Sequence, residues 1–145
     1  MDSIDRRLVR LLQANGKISF QEAGDVVGLS APATFQRVRK LEESGAITGY
    51  HARVNPAALG LPVLCFVEVV PGSGVDDGAL RRRWRNTAAV QECHRLSGVY
   101  GYLLKVRVRS LADLATLADG LRRAGCSTRT QLALETEFER WTADG

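Results

Sequence analysis

The stretch VGLSAPATFQRVRKLEESG, Val27 to Gly45, ends one helix and opens another. Gly28 stops the first, and Ser30 is placed to cap the second. Pro32 falls in the new helix's first turn, where a missing N–H costs nothing. That helix runs to about Ser44, and Gly45 ends it. Thr34, Val38 and Leu41 recur at i, i+4, i+7 and form an inward face. Ala33, Gln36, Arg37 and Lys40 lie opposite, small at the start and cationic at the end. Small N-terminal residues let a helix approach base edges, and Gln and Arg can bond to bases or phosphates. Ser30, Ala31, Pro32, Ala33, Gln36, Arg37 and Lys40 are therefore the candidate DNA contacts, with Ser30 and the free N–H groups of the first turn suited to a phosphate. Phe35 sits between the two faces, as a flank of the core or an apolar contact to a thymine methyl.

Upstream, Ile4, Leu8, Leu11 and Leu12 mark a helix over Ser3–Ala14, with Asp2 as N-cap and Gly16 after its end. Ser19 and Glu22 have the spacing of a capping box for a second helix, whose apolar face is Ala23, Val26 and Val27. Downstream, AITGYHARVNP reads as two short β pieces, Ala46–Thr48 and His51–Val54, around Gly49-Tyr50. This predicts a small wing hairpin, with Arg53 against backbone phosphate.

After residue 60 the period changes. Pro62–Val70 is apolar on both faces, which predicts a central, doubly covered strand. PGSGVDDG is a loop whose glycines do not match a phosphate-binding spacing. Ala79–Asn86 reads as a helix with Leu80 and Trp84 inward and Arg81, Arg82, Arg83 and Arg85 on a solvated face. Ala89–Leu96 and Tyr100–Arg109 read as strands. In the latter, Tyr100, Tyr102, Leu104, Val106 and Val108 point one way, and Gly101, Leu103, Lys105, Arg107 and Arg109 the other. Ser110 and Asp113 open a helix carrying Leu111, Leu114, Ala118 and Leu121, and Ser127–Phe138 is a fourth strand. The order β-α-β-β-α-β is the ferredoxin-like plan, with both helices on one face of the sheet. The other face keeps apolar residues that a second copy would cover, so at least a two-fold dimer is expected.

Composition sets the outer bounds. The 145 residues are 45% hydrophobic and 25% charged, ordinary for a globular chain. The net charge of +4 suits a polyanionic partner without proving one. No segment approaches a membrane span, and the N-terminus lacks a signal peptide's apolar run. Cys65, Cys93 and Cys126 show neither a disulfide framework nor a zinc spacing. They read as reduced thiols, Cys65 in the core, of a cytoplasmic protein.

In order along the chain, IDRRLVRLLQANGKIS, VGLS, RVRKLEESGAITGY, NPAALG and ECHRLSGVYGYLLKVRV resemble the Lrp/AsnC (leucine-responsive, feast/famine) family of transcription regulators. The resemblance covers nearly the whole chain. It implies an α+β architecture. Residues 1–60 form a winged helix-turn-helix DNA-binding domain with linker, and residues 61–145 a ferredoxin-like βαββαβ (RAM) domain for ligand sensing and oligomerisation. It places the helix-turn-helix at Phe20–Arg39. It implies dimers that pair through their sheets, commonly assembling into octamers. The effector is usually an amino acid held near the loop that corresponds here to Ser97, Gly98, Val99, Tyr100, Gly101 and Tyr102. Many members read Gly-Asp-aromatic-Asp-Tyr there, whereas both acidic positions are gone in Gly98–Tyr102. RRAGCSTRT replaces the common Leu-Pro-Gly-Val approach, and Asp25 stands where many members carry a cation.

The expected function is sequence-specific binding of double-stranded DNA, tuned by a small metabolite such as an amino acid. No catalytic residue, metal site or cofactor is expected. The alternatives are an enzyme like the sirohaem decarboxylases, for which only His51 and His94 are available, and a ligand-binding module with a vestigial DNA-binding domain.

Overall fold

The computed structural model describes residues 1–98, 101–140 and 142–143. The chain divides into two compact units: Met1–Arg53 together with the stretch from Phe138, and Val54–Glu137.

The first unit is built from α1 (Ser3–Ala14), α2 (Phe20–Val27) and α3 (Ala31–Glu43). Each starts at a side-chain cap. Asp2 and Asp5 form a reciprocal capping box on α1, and Ser19 and Glu22 form one on α2. Ser30 accepts the Ala33 N–H on α3. Leu8, Ala23, Val27 and Val38 are the buried core, with Ile4, Leu11, Leu12, Ile18, Leu29 and Ile47 around it. Each fully buried Leu or Val contributes roughly 1.5–3 kcal/mol relative to exposure. Val26 departs from the expected inward face and is 51% exposed. The C-terminal stretch returns to α1, where Gln13 exchanges two hydrogen bonds with the backbone of Ala143 (2.6 and 3.1 Å).

The expected wing hairpin is not present: residues 46–55 contain no strand. This segment bonds to α3 instead of to itself. The Ile47 N–H donates to the Leu41 carbonyl (3.0 Å), and the Tyr50 hydroxyl donates to Glu42 (2.8 Å). The Ile47 N–H, spent on the helix, is not available to a hairpin ladder.

The second unit opens with a short 3-10 turn, Pro56–Leu59. It continues through β1 (Val63–Pro71), α4 (Asp77–Arg85), β2 (Val90–Arg95), β3 (Tyr102–Val108), α5 (Leu111–Arg123) and β4 (Cys126–Leu132). The sheet order is β2-β3-β1-β4, with every neighbouring pair antiparallel. Pairing sets Cys65 opposite Val106, Val67 opposite Leu104 and Val69 opposite Tyr102, which forms the helix-covered face. Leu80 and Trp84 of α4 and Leu114 and Leu121 of α5 close over these residues. Leu64, Phe66, Glu68, Val70, Leu103, Lys105 and Arg107 alternate onto the other face. There Leu64 is buried, and the others are half-buried.

The fourth strand is shorter than the sequence suggests and stops at Leu132 rather than Phe138. β4 pairs only with β1, and Leu132 is already opposite Cys65, next to the start of that strand. Little template remains for residues beyond, and Leu134 is 93% exposed.

Candidate nucleic-acid interface and effector loop

The turn between α2 and α3 is held by three contacts. The Gly24 carbonyl accepts the N–H groups of Gly28 (2.8 Å) and Leu29 (2.9 Å). Gly28 takes the left-handed conformation, φ 80°, that favours glycine. The buried Thr34 hydroxyl donates to the Ser30 carbonyl (3.0 Å). Gly24 carries the closest approach. A Cβ there would stand 2.5 Å from the Leu29 carbonyl oxygen and 2.8 Å from Thr34 Oγ1. Only glycine fits without displacing the turn. Sequence reading passed over Gly24 because a glycine inside a helical pattern looks like a weak helix former. Its purpose shows only once α3 is packed against it.

The inward face of α3 is Thr34, Val38 and Leu41, all buried. Outside lie Pro32, Phe35, Gln36, Arg39 and Lys40, all exposed, while Ala31 and Ala33 are half-buried at the edges. Ser30 is exposed at the N-terminus. Ser30, Pro32, Gln36 and Lys40 thus share the surface that α3 presents outward. Arg39, which the sequence reading did not select, joins them, paired with Glu43 one turn on (2.9 Å). Arg53 is exposed in the segment after α3.

Arg37 is differently placed. Its guanidinium lies 2.7 Å from Asp2 and 2.7 Å from Asp5 and retains only a third of its exposure. Both carboxylates belong to the N-terminal cap of α1, so Arg37 fastens α3 to the start of α1. Asp2 is held below its ordinary range, first by the Asp5 N–H and then by Arg37. The two carboxylates in turn raise the Arg37 pKa. The partners are about ten helical turns apart in sequence, which no local spacing rule links. A second cross-helix contact ties Arg7 to the Val26 carbonyl at the end of α2 (2.6 Å).

Phe20, the first residue of α2, meets Phe35 edge-to-face with ring centroids 5.4 Å apart. Both rings remain partly exposed, at 38% and 42%. Beyond α3, partial burial and then Glu42 push the Tyr50 hydroxyl up to about 12, so it stays a hydrogen-bond donor at neutral pH.

In the second unit, Ser97 and Gly98 are exposed at the end of β2, and Gly98 has φ 101°, consistent with a tight turn. Val99 and Tyr100 of the candidate effector loop lie outside the described residues. Gly101 is half-buried, and its carbonyl accepts the Leu96 N–H (3.1 Å). A Cβ at Gly101 would stand 3.1 Å from Pro71 Cδ, so a side chain there requires Pro71 to yield. Tyr102 is only 2% exposed. Its hydroxyl donates to Asp77 Oδ2 (2.8 Å), and its ring meets Trp84 edge-to-face at 5.1 Å. Tyr102 therefore braces β3 against α4, and among the described residues of the loop Ser97 and Gly98 are the exposed ones. His94 pairs with Glu92 (3.0 Å), which also receives Lys105 (3.1 Å). Among the described residues no three His, Cys, Asp or Glu side chains are grouped to hold a metal, and no helix is long and apolar enough to cross a membrane.

Residues 1–42 match the AsnC-type helix-turn-helix domain, and residues 63–141 match the Lrp/AsnC ligand binding domain. The chain is 38% identical over 140 residues to the leucine-responsive regulatory protein of Haemophilus influenzae, covering 93% of this chain and 84% of that one. It is 36% identical over 139 residues to the HTH-type transcriptional regulator LrpA of Mycobacterium tuberculosis, covering 95% and 93%. Among solved structures, it resembles the leucine response regulatory protein (LrpA) of M. tuberculosis with a TM-score of 0.87 and 33% identity, covering 99% of both chains. It also resembles the feast or famine regulatory protein of M. tuberculosis complexed with L-methionine, with a TM-score of 0.91 and 34% identity, covering 98% of this chain and 97% of that one.

Proposed function

Because the chain belongs to the Lrp/AsnC family of transcriptional regulators, we propose that it binds double-stranded DNA through α3 and responds to a small metabolite through its second unit. The observation that carries this is the α2–turn–α3 junction. A glycine that tolerates no Cβ, two N-caps and a buried threonine hydroxyl fix α3 while leaving Pro32, Gln36 and Lys40 in solvent.

In this reading the labour along α3 is divided. Ser30 and the Ala31 N–H receive a phosphate, since Pro32 has no N–H and those of Ala33 and Thr34 already donate to Ser30. Gln36 reaches base edges, with Ala31, Pro32 and Ala33 small enough to let the helix into the groove. Lys40 and Arg53 meet the backbone. Arg37 is a positioning residue, since its charge is already answered by Asp2 and Asp5.

The chain acts as a symmetric dimer, with two α3 helices entering successive major grooves of a pseudo-palindromic site. A second copy covers the open sheet face. Phe66, Val70 and Leu103 leave a half-buried apolar patch there that is costly in water, and Glu68 Oε2 of the same face is buried with no hydrogen-bond partner among the described residues. The effector is an amino acid, by likeness to the relative solved with L-methionine. It binds at Ser97–Tyr102 and shifts the oligomer equilibrium, which couples it to DNA affinity. The chain works without catalysis. His51 is exposed, and His94 has only a solvent-facing carboxylate beside it, which forms no acid–base pair over a cavity.

Binding-site selection from genomic fragments, repeated with a panel of amino acids and followed by light scattering, tests this. The expected result is an enriched pseudo-palindrome whose affinity falls steeply with salt, and a change in mass or affinity with one class of amino acid. No enrichment would refute DNA binding. A monomer at micromolar concentration in sedimentation would refute the dimer.

A further inference from the structure

We infer that Phe35 reads the C5-methyl group of thymine and so sets part of the base preference of α3; this rests on the reading of α3 as the recognition helix. Three observations lead there.

The first is exposure. Phe35 is 42% exposed and Phe20 is 38% exposed, yet the two rings touch edge-to-face at 5.4 Å. Phe20 begins α2 and Phe35 lies in the second turn of α3, so the pair sits where the two helices of the motif come together at the surface. The ring of Phe35 is held in place by Phe20 while keeping one side toward solvent.

The second is charge. Over Ala31–Val38 the exposed side chains are Pro32, Phe35 and Gln36, and none is charged. The one cation in that span, Arg37, is occupied by two carboxylates at 2.7 Å each. Arg39 and Lys40 come only a turn later. The half of α3 that enters the groove therefore lacks the free Arg or Lys that recognises guanine. It offers an amide, which suits adenine, and an apolar ring, which suits the thymine methyl.

The third is geometry. Successive residues on an α-helix are about 100° apart. Phe35 and Gln36 thus bound one outward sector of the helix, with the small Pro32 between them, and both face the groove. The half-site read by this chain contains a thymine whose methyl packs on Phe35 beside an adenine bonded to Gln36.

The test uses the full chain and a duplex recovered by binding-site selection. Each thymine of one half-site is replaced in turn by deoxyuridine, which removes the methyl and nothing else, and affinity is read by fluorescence anisotropy. At one or two positions the wild type is expected to bind about fourfold more weakly, the effect of losing one buried methyl-sized group. Phe35→Ala binds the thymine and uracil duplexes alike, whereas Phe35→Leu, which keeps an apolar reach, retains the difference. Equal binding of both duplexes by the wild type at every position overturns the inference and leaves DNA binding standing. So does a Phe35→Ala protein that keeps the wild-type ratio, because another residue then reads the methyl. Failure to bind any duplex overturns the inference together with the reading it rests on.

Discussion

Replacing Gly24 by Ala sets two physical effects against each other. On helix propensity alone the change stabilises α2 by ~1 kcal/mol. The added methyl, however, would stand 2.5 Å from the Leu29 carbonyl oxygen and 2.8 Å from Thr34 Oγ1. The nearer atom is backbone, in the turn itself, and cannot swing aside as a side-chain tip would. Relief requires the turn to move away from α2, against the hydrogen bonds that Gly28 and Leu29 make to the Gly24 carbonyl. It also strains the buried Thr34 hydroxyl on the Ser30 carbonyl. Overpacking of this kind costs ~1–3 kcal/mol, and an orphaned buried hydroxyl costs a further ~1–3 kcal/mol. The net expectation is a loss of roughly 1–5 kcal/mol in the first unit, after the propensity gain is set against it. For a domain of about 60–100 residues each kcal/mol moves the melting midpoint by roughly 4–8 °C, so a loss of about 3 kcal/mol, the middle of that range, amounts to ~10 °C or more. Scanning calorimetry of the full chain is the assay. Gly28→Ala is the control. It has open space around it but a positive φ of 80°, so it suffers backbone strain without collision, ~1–2 kcal/mol. A Gly24→Ala protein that melts at or above the wild-type temperature would refute the steric reasoning.

Two further outcomes follow from the charges of the first unit. Lys40→Ala should weaken operator binding and reduce the slope of log affinity against log salt by about 0.9, the loss of one phosphate contact. Arg37→Ala should weaken binding at an unchanged slope, because it displaces α3 without removing a free charge; anisotropy titrations between about 50 and 200 mM salt separate the two, and a reduced slope for Arg37→Ala would place it on phosphate instead. Stability should also depend on acid. Asp2 lies below its ordinary 3.8, through the Asp5 N–H and Arg37, and Glu22 below its ordinary 4.5, through Ser19. Both partners are lost on unfolding, so the unfolded pKa values are the higher ones. The stabilisation is complete above about pH 4.5 and disappears as pH falls through the folded values. Melting curves from roughly pH 6 down to pH 3 should show this decline, and Asp2→Asn should flatten it.

What could be read from the residues alone follows the range over which each force acts. The caps at Ser19 and Ser30 were legible because a cap and its N–H partner are three residues apart. The inward faces of α3 and β3 were legible because burial imposes a period of 3.6 or 2. The wing was misread because Gly49-Tyr50 looks like a turn, while the segment's actual partners, Leu41 and Glu42, lie on the helix before it. The end of β4 depends on where β1 begins, which its own residues do not state. Arg37 carried a cation's signature on an outward helix face; only the folded chain brings Asp2 and Asp5 to it. The exposed Phe20–Phe35 pair is likewise a product of packing, since Phe35 alone reads as either a core flank or a base contact and nothing local links it to Phe20.

The contact of Trp84 with Tyr102 has a practical consequence. Tyr102 directly follows the Ser97–Gly101 loop, and Trp84 is one of two tryptophans in the chain. Its indole is 3% exposed and 5.1 Å from the tyrosine ring. An indole in so dry a setting emits toward the blue, and a shift of Tyr102 changes the quenching around it. The chain therefore carries its own optical gauge next to the loop, and a titration of metabolites can be followed by emission without attaching a dye.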